Sequence, residues 1–243
     1  KVNKIMVIDD LANRVHDCDL LLDQNYWNNY LSRYDSYVDS NCIKLLGPQY
    51  CMLRKEFRQM RNKVPTATSI LPKILINFGG IGNYDLLVKF AKVLPHFAEK
   101  YDFTMITGRL VYTDFLYLEN IIKPSDVMMM ESTENMAKLM FESNYAFGAC
   151  GSTVWERFCL GLNSSLTEVA ANQHELLQFL SSKSLVHFLG SSTSITEDDI
   201  YNSINRLDLE SPENATRKQR IMSLVDGDGV KRVAQKIKEL EDA

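Results

Sequence analysis

The sequence predicts a doubly wound α/β fold built on a parallel sheet. Two observations carry that expectation. From residue 73 onward, short apolar runs alternate with segments of helical period. Runs such as KIMVI (4–8) are continuously apolar and end in polar residues, the pattern of parallel strands buried on both faces. Strand–helix alternation means βαβ units with right-handed crossovers, and ligands of such sheets sit at the C-terminal ends of the strands.

The first strand is expected at 4–8, closing on Asp9-Asp10, and a second at CDLLLDQN (18–25). Residues 26–44 are rich in Tyr, Asn, Ser and Asp without helical period and read as a surface loop. LLGPQYCMLRKEF (45–57) carries a Gly-Pro turn and an apolar stretch, and 58–72, with Pro65 and Pro72, reads as a linker or long loop. The regular part follows, with strands at 74–80, 102–108, 126–131, 145–150, 164–170 and 185–190. Helices are expected at 84–100, 115–123, 133–143, 153–161 and 172–183, with two more at about 196–207 and 211–241. There is no internal repeat and no low-complexity tract.

Of the 243 residues, 45% are hydrophobic and 24% charged, ordinary for a globular protein. The net charge of −4 argues against nucleic acid as the partner, because phosphate binding needs clustered Lys and Arg. No apolar run reaches the roughly 18–20 residues of a membrane helix. Five widely spaced cysteines without a CxxC pair read as reduced, cytoplasmic thiols. Four scattered histidines form no HxxxH or HExxH box, and neither metal nor cofactor is expected. Residue 1 is Lys and the IMVI strand follows almost at once, so an N-terminus cut or joined to something else is expected.

Five places could carry chemistry. Phe78-Gly79-Gly80 ends a strand, where glycine admits a ligand close to the backbone and the helix behind offers free amides to a phosphate; a plain tight turn would look the same. Gly151-Ser152-Thr153 joins strand to helix at the same edge, with Glu156 one turn further on and able to accept from a ribose diol. Thr153-x-x-Glu156 is equally a capping box. Asn172-Gln173 pairs two amides at a strand end, suited to reading sugar hydroxyls or to capping the next helix. Asp9, Asp10, Asn13, Arg14, His16, Asp17 and Asp19 cluster carboxylates with one imidazole, suited to metal or acid–base work or to an ordinary polar loop. Arg54, with Lys55 and Glu56, could close on a phosphate or form a solvated pair. His174 could touch a ligand, whereas His96 and His187 read as structural. Ligand-facing turns on one sheet, without GxGxxG or a Walker lysine, point to a nucleotide diphosphate rather than a dinucleotide.

These residues resemble a known family, the PseG-type UDP-2,4-diacetamido-2,4,6-trideoxy-β-L-altropyranose hydrolases of pseudaminic acid biosynthesis. The matching segments are VIDDLANRVHDCDLLLDQNY (7–26), LLGPQYCMLRKEF (45–57), INFGG (76–80), ENMAKLMFESNYAFGACGSTVWERFCLG (134–161), Asn172-Gln173 and LVDGDGVKRVA (224–234). The glycine turns are shared more widely with GT-B glycosyltransferases of the MurG type. The resemblance implies a GT-B-like fold of two Rossmann-like domains: residues 1–57 as the end of the N-terminal domain and interdomain segment, residues 58–243 as the C-terminal UDP-binding domain. It implies that water displaces UDP from the anomeric carbon with inversion and without a metal, in a bacterial, cytoplasmic pathway whose product decorates flagella and surface glycans. The partner is then a UDP-linked diacetamido sugar.

Carried over by position, Gly79 and Gly80 fall on one phosphate turn and Gly151, Ser152 and Thr153 on the other. Glu156 falls on the ribose-binding acid, and Asn172 and Gln173 on the sugar-facing amides. Uracil is expected near Asn135 and Met136, in the segment opened by Glu134. The family's N-terminal G-x-G-H-x-x-R turn, whose His is its acid/base, is absent from these 243 residues. An N-terminal domain in cis is therefore expected, and this chain alone is expected to be inactive. Ile81-Gly82 replaces the family's Ser/Thr-Asp after the double glycine, and Asn163 replaces a proline. A GT-B glycosyltransferase and a non-catalytic UDP-sugar-binding module are the alternatives.

Overall fold

The structure, a computed structural model, describes residues 3–64, 69–80 and 83–242; the departure at Ile81-Gly82 lies outside them. The strands form two wholly parallel sheets. The smaller holds β1 (Met6–Ile8), β2 (Leu20–Asp23) and β3 (Ile43–Leu46), side by side in chain order. After α1 (Lys55–Arg61) comes the larger sheet: β4 (Lys73–Asn77), α2 (Tyr84–Val93), β5 (Asp102–Ile106), α3 (Tyr112–Ile122), β6 (Met128–Met130), α4 (Met136–Glu142), β7 (Tyr145–Ala149), α5 (Thr153–Leu160), β8 (Ser164–Glu168), α6 (His174–Ser182) and β9 (His187–Ser191). Three helices close the chain: α7 (Glu197–Asn205), α8 (Pro212–Leu224) and α9 (Gly229–Glu241).

The larger sheet runs in the order β6-β5-β4-β7-β8-β9. The chain builds outward from β4, then returns to its other side at β7. Alternation of side chains along each strand feeds two cores. Ile74, Ile76, Phe103, Met105, Tyr145 and Phe147 join one with α2, α3 and α7. Leu75, Ala146 and Leu166 join the other, with α4, α5, α6 and α8. This is the doubly wound arrangement, with apolar residues needed on both faces.

Four expectations need correction. The segment read as a loop through residue 44 already enters β3 at Ile43, and the first residues of the stretch read as a linker over 58–72, up to Arg61, are the second half of α1. β3 carries the mixed run Ile-Lys-Leu-Leu, a weak strand signal, yet Leu45 and Leu46 are buried once β2 pairs with it. The helix expected over 211–241 is two helices, broken at Val225–Asp228. The helix from 84 tightens into a 3₁₀ turn at Leu94–Phe97, where Pro95 offers no amide to the α ladder.

The break before α9 lets it return to the smaller sheet. Val233, Ile237 and Leu240 pack there on Leu20, Leu22 and Leu45. Tyr34, Cys42 and Val38 cover the other face. Arg61 ties the two regions, donating to the carbonyls of Cys159 at 2.6 Å, Met222 at 2.9 Å and Val225 at 3.1 Å. Arg232 donates to the Gln49 carbonyl at 2.8 Å and pairs with Asp226. Among the described residues no helix is long and apolar enough to cross a membrane.

Two predictions follow from this seam. A Cβ on Gly229 would stand 2.2 Å from the Cys51 carbonyl oxygen and 2.7 Å from its amide nitrogen. Gly229→Ala is therefore expected to destabilise the fold by about 3 kcal/mol in denaturant titration, against about 0.5 kcal/mol or less for Val230→Ala at an exposed neighbouring site. The Arg232 hydrogen bond, against a smaller burial effect, lowers the Asp226 carboxyl from 3.8 to about 2. Its folded pKa lies below its unfolded one, so its stabilisation is present above about pH 4 and lost as pH falls toward about 2. Arg232→Met is expected to flatten the fall of melting temperature over that window; an unchanged slope would refute the linkage.

Candidate functional site

The C-terminal ends of β1 and β2 face those of β7 and β8 across a cavity of about 310 Å³. One wall is Ile8 to Leu11, with Asp23, Gln24, Asn25 and Trp27; the other is Cys150, Gly151, Ser152, Asn172, Gln173 and Leu176. The Trp155 indole spans the walls, donating to Asn25 Oδ1 at 3.1 Å.

On the first wall two carboxylates serve the structure and one is free. Asp9 Oδ2 accepts from the Leu11 amide at 3.2 Å, the Ala12 amide at 2.9 Å and the Tyr34 hydroxyl at 2.9 Å. Burial alone would raise the Asp9 carboxyl, but the Ala12 and Leu11 amides, Tyr34 and the neighbouring His16 outweigh it and hold it below the ordinary range. Asp23 accepts from the Asn25 amide and the Trp27 indole, each at 2.9 Å. Its burial wins over those bonds and pushes it up. Arg33 lies 4.1 Å over the Trp27 ring and donates to the Leu11 carbonyl at 3.2 Å, pinning the same turn from the other side. Asp10, exposed, has no hydrogen bond or ion pair on its carboxylate among the described residues.

On the second wall, α5 begins without any side-chain cap. Ser152 is the residue at its N-cap, and the Val154 and Trp155 amides close onto the Gly151 and Ser152 carbonyls at 3.0 and 3.1 Å. The Thr153–Glu156 capping box is therefore not formed. Glu156, which like Thr153 is not in the cavity lining, is left with Arg54 at 3.9 Å, and its burial raises its carboxyl despite Arg54 and Arg157. Arg54 also pairs with Glu56 at 2.9 Å. Nor does Asn172 cap α6: a 3₁₀ turn over Ala171–Gln173 precedes it, again without a side-chain cap. Gln173 Oε1 accepts from the Val169 amide at 3.1 Å, which leaves its NH₂ turned toward Gly151.

The other residues singled out from sequence lie elsewhere. Gly79 (φ 106°) and Gly80 follow β4 beside the β7 turn, with open space where a Cβ would stand, but do not line the cavity. Asn135 and Met136 open α4, away from it. The acidic cluster near the N-terminus is dispersed: Asp19 accepts from the Ile5 amide at 2.8 Å, and Asn13 and Asp17 are exposed. Arg14 and His16 each approach Asp9 at 3.5 Å, His16 through its buried Nε2, which makes no hydrogen bond among the described residues. Among the described residues no three His, Cys, Asp or Glu side chains converge as a metal site. His174 pairs with Glu168 at 2.7 Å, His96 meets the Val93 carbonyl at 3.1 Å, and His187 lies on β9. Sequence reasoning missed Gln24, Asn25, Trp27 and Arg33 as site residues; the one cue was the polar Asp-Gln-Asn ending of an otherwise apolar strand.

No family model matches the chain. SpsG, a spore coat polysaccharide biosynthesis protein of Bacillus subtilis (strain 168), is 23% identical over 207 residues, 84% of this chain and 60% of SpsG. The UDP-2,4-diacetamido-2,4,6-trideoxy-β-L-altropyranose hydrolase of Campylobacter jejuni is 27% identical over 181 residues, 74% of this chain and 63% of that protein. The chain thus spans somewhat under two thirds of these relatives. Among solved structures, MurG of Acinetobacter baumannii aligns with a TM-score of 0.65 at 15% identity, over 90% of this chain and 66% of MurG. A UDP-GlcNAc 2-epimerase of Neisseria meningitidis, bound to UDP-GlcNAc, aligns with a TM-score of 0.58 at 15% identity, over 89% of this chain and 61% of the epimerase. In sequence the chain is thus similar to the UDP-diacetamido-altropyranose hydrolase of Campylobacter jejuni, and its fold is the GT-B-like fold of MurG.

Proposed function

We propose that the chain is the UDP-binding part of a nucleotide-sugar hydrolase, one that removes UDP from a diacetamido-trideoxy-hexose by attack of water at the anomeric carbon. The observation that carries this reading is the uncapped N-terminus of α5, with Gly151 and Ser152 opening onto a polar cavity. Such a terminus offers amides and a positive dipole end to a diphosphate.

The roles divide between the two walls. Residues 58–243 hold UDP, with Gly151, Ser152 and Thr153 at the diphosphate, Gly79 and Gly80 at the neighbouring turn, Glu156 accepting from the ribose hydroxyls, and Asn135 and Met136 near the base. Asn172 and Gln173 meet the sugar. Residues 1–57 close the sugar side, where the free Asp10 carboxylate accepts from sugar O–H or N–H groups. An N-terminal domain in cis would complete that side and supply the acid/base. Water forms a bond to the anomeric carbon as the bond from that carbon to the diphosphate oxygen breaks. The electron pair leaves with UDP, and the charge growing there is stabilised by the α5 amides. Five unpaired cysteines support a reducing compartment, the bacterial cytoplasm. The product would enter pseudaminic acid synthesis and flagellin glycosylation.

UDP release from the UDP-linked diacetamido sugar tests the reaction when the complete gene product is assayed with and without sugar acceptors. Release independent of acceptor is expected; acceptor-dependent release would replace hydrolysis by glycosyl transfer. This chain alone is expected to bind UDP without turnover. Glu156→Ala is expected to weaken UDP about tenfold by calorimetry, the loss of a hydrogen bond to a charged group, and to abolish discrimination against 2′-deoxy-UDP. Unchanged affinity would remove Glu156 from the ribose site.

A further inference from the structure

An anion on the Gly151–Ser152 turn meets an unusual lining. The ionisable residues that line the cavity are Asp9, Asp10, Asp23 and Cys150, with no Lys or Arg among them. The compensating charge lies underneath. Arg157, on α5, is fully buried. Its Nη2 donates to the Ala149 carbonyl at 2.7 Å, while Nε and Nη1 have no hydrogen-bond partner. Among the described residues no carboxylate lies within ion-pair distance of it, and Glu156 acts on it only through its field. Burial lowers its pKa to about 10, so the guanidinium is still cationic at neutral pH. A buried cation without a partner is costly, and its cost falls when an anion comes near.

Its position identifies that anion. Gly148 of β7 pairs in register with Asn77 of β4. A Cβ on Gly148 would stand 2.5 Å from Arg157 Nη1 and 2.8 Å from the Asn77 carbonyl oxygen. The guanidinium therefore fills the space a side chain at 148 would take, between the ends of the two central strands. Phe78-Gly79-Gly80 leaves from Asn77, and Cys150-Gly151-Ser152 leaves from Ala149. One cation lies at the ends of both strands from which the glycine turns leave.

We propose that Arg157 is the buried counter-charge for the diphosphate, a positioning residue that raises the potential at both glycine turns and anchors the Ala149 end of β7. This assignment rests on the UDP-sugar reading above and adds a determinant that does not touch the ligand. It accounts for a diphosphate site without a cation in its lining, and for a glycine inside a fully buried strand.

The test separates charge from shape. Calorimetry with UDP and with uridine is run on the wild-type chain, Arg157→Met and Arg157→Lys. Arg157→Met is expected to lose about tenfold in UDP affinity while uridine affinity stays within about twofold, and Arg157→Lys to keep most of the UDP affinity. Equal losses for UDP and uridine, or no loss, would overturn the assignment. Whether or not Arg157→Met folds, pyrophosphate is expected to raise the melting temperature of the wild-type chain, and no rise would overturn it as well. A wild-type chain that binds neither UDP nor uridine would sink the UDP-sugar reading itself. UDP binding that is equally tight in Arg157→Met would sink only the role of Arg157.

Discussion

Strands β4 and β7 lie side by side and parallel, yet their chains leave toward opposite flanks of the sheet. The connections after them therefore diverge and open a crevice at their C-terminal ends, the place where open α/β sheets receive ligands. Much else follows from that reversal. It sets the two glycine turns next to each other and aims the start of α5 at the opening. It also brings Asn77 and Gly148 together closely enough for a guanidinium to lie against both.

The opposite wall is held by different physics. β1 to β3 form a narrow sheet whose outer covering is an irregular segment rather than a helix. That segment earns its shape from buried polar contacts: the Tyr34 hydroxyl shared between Asp9 and Asp23, the Trp27 indole on Asp23, and Arg33 stacked over Trp27. In so dry a setting each partner is costly to leave unsatisfied, so the group specifies one arrangement. The result is a rigid turn at Asp9 to Ala12 that leaves Asp10 at the cavity with its carboxylate unused. Arg33 also approaches Glu175 on α6 at 3.9 Å, a contact made across the cavity's edge.

The two walls belong to one packed body. Trp27, Cys51 and Phe57 share a core with Trp155, Phe158 and Leu177. The chain crosses between the regions twice, through α1 and again before α9, and arginines at both crossings bond to backbone carbonyls rather than to exposed carboxylates alone.

Periodicity alone was enough for the larger sheet. Its central strands β4 and β7 are buried almost throughout and its helices carry their own apolar stripe, so these elements announce themselves locally. The glycine turn at Gly151 and the amides at Asn172 and Gln173 were legible for the same reason, since they end strongly marked strands. β3, the start of α1 and the break before α9 were not legible, because their burial depends on partners far along the chain. Only the tertiary structure showed that Thr153 and Glu156 form no capping box, because α5 starts with Ser152 at its N-cap and no side-chain cap. It alone brought Gln24, Asn25 and Trp27 to the cavity, and it alone put the Arg157 guanidinium at the ends of the two central strands. The sequence by itself determined the elements of the larger sheet, because helix and strand patterns act over a few residues. Which side chains meet across the cavity was decided by packing between segments more than a hundred residues apart, and no local pattern encodes that.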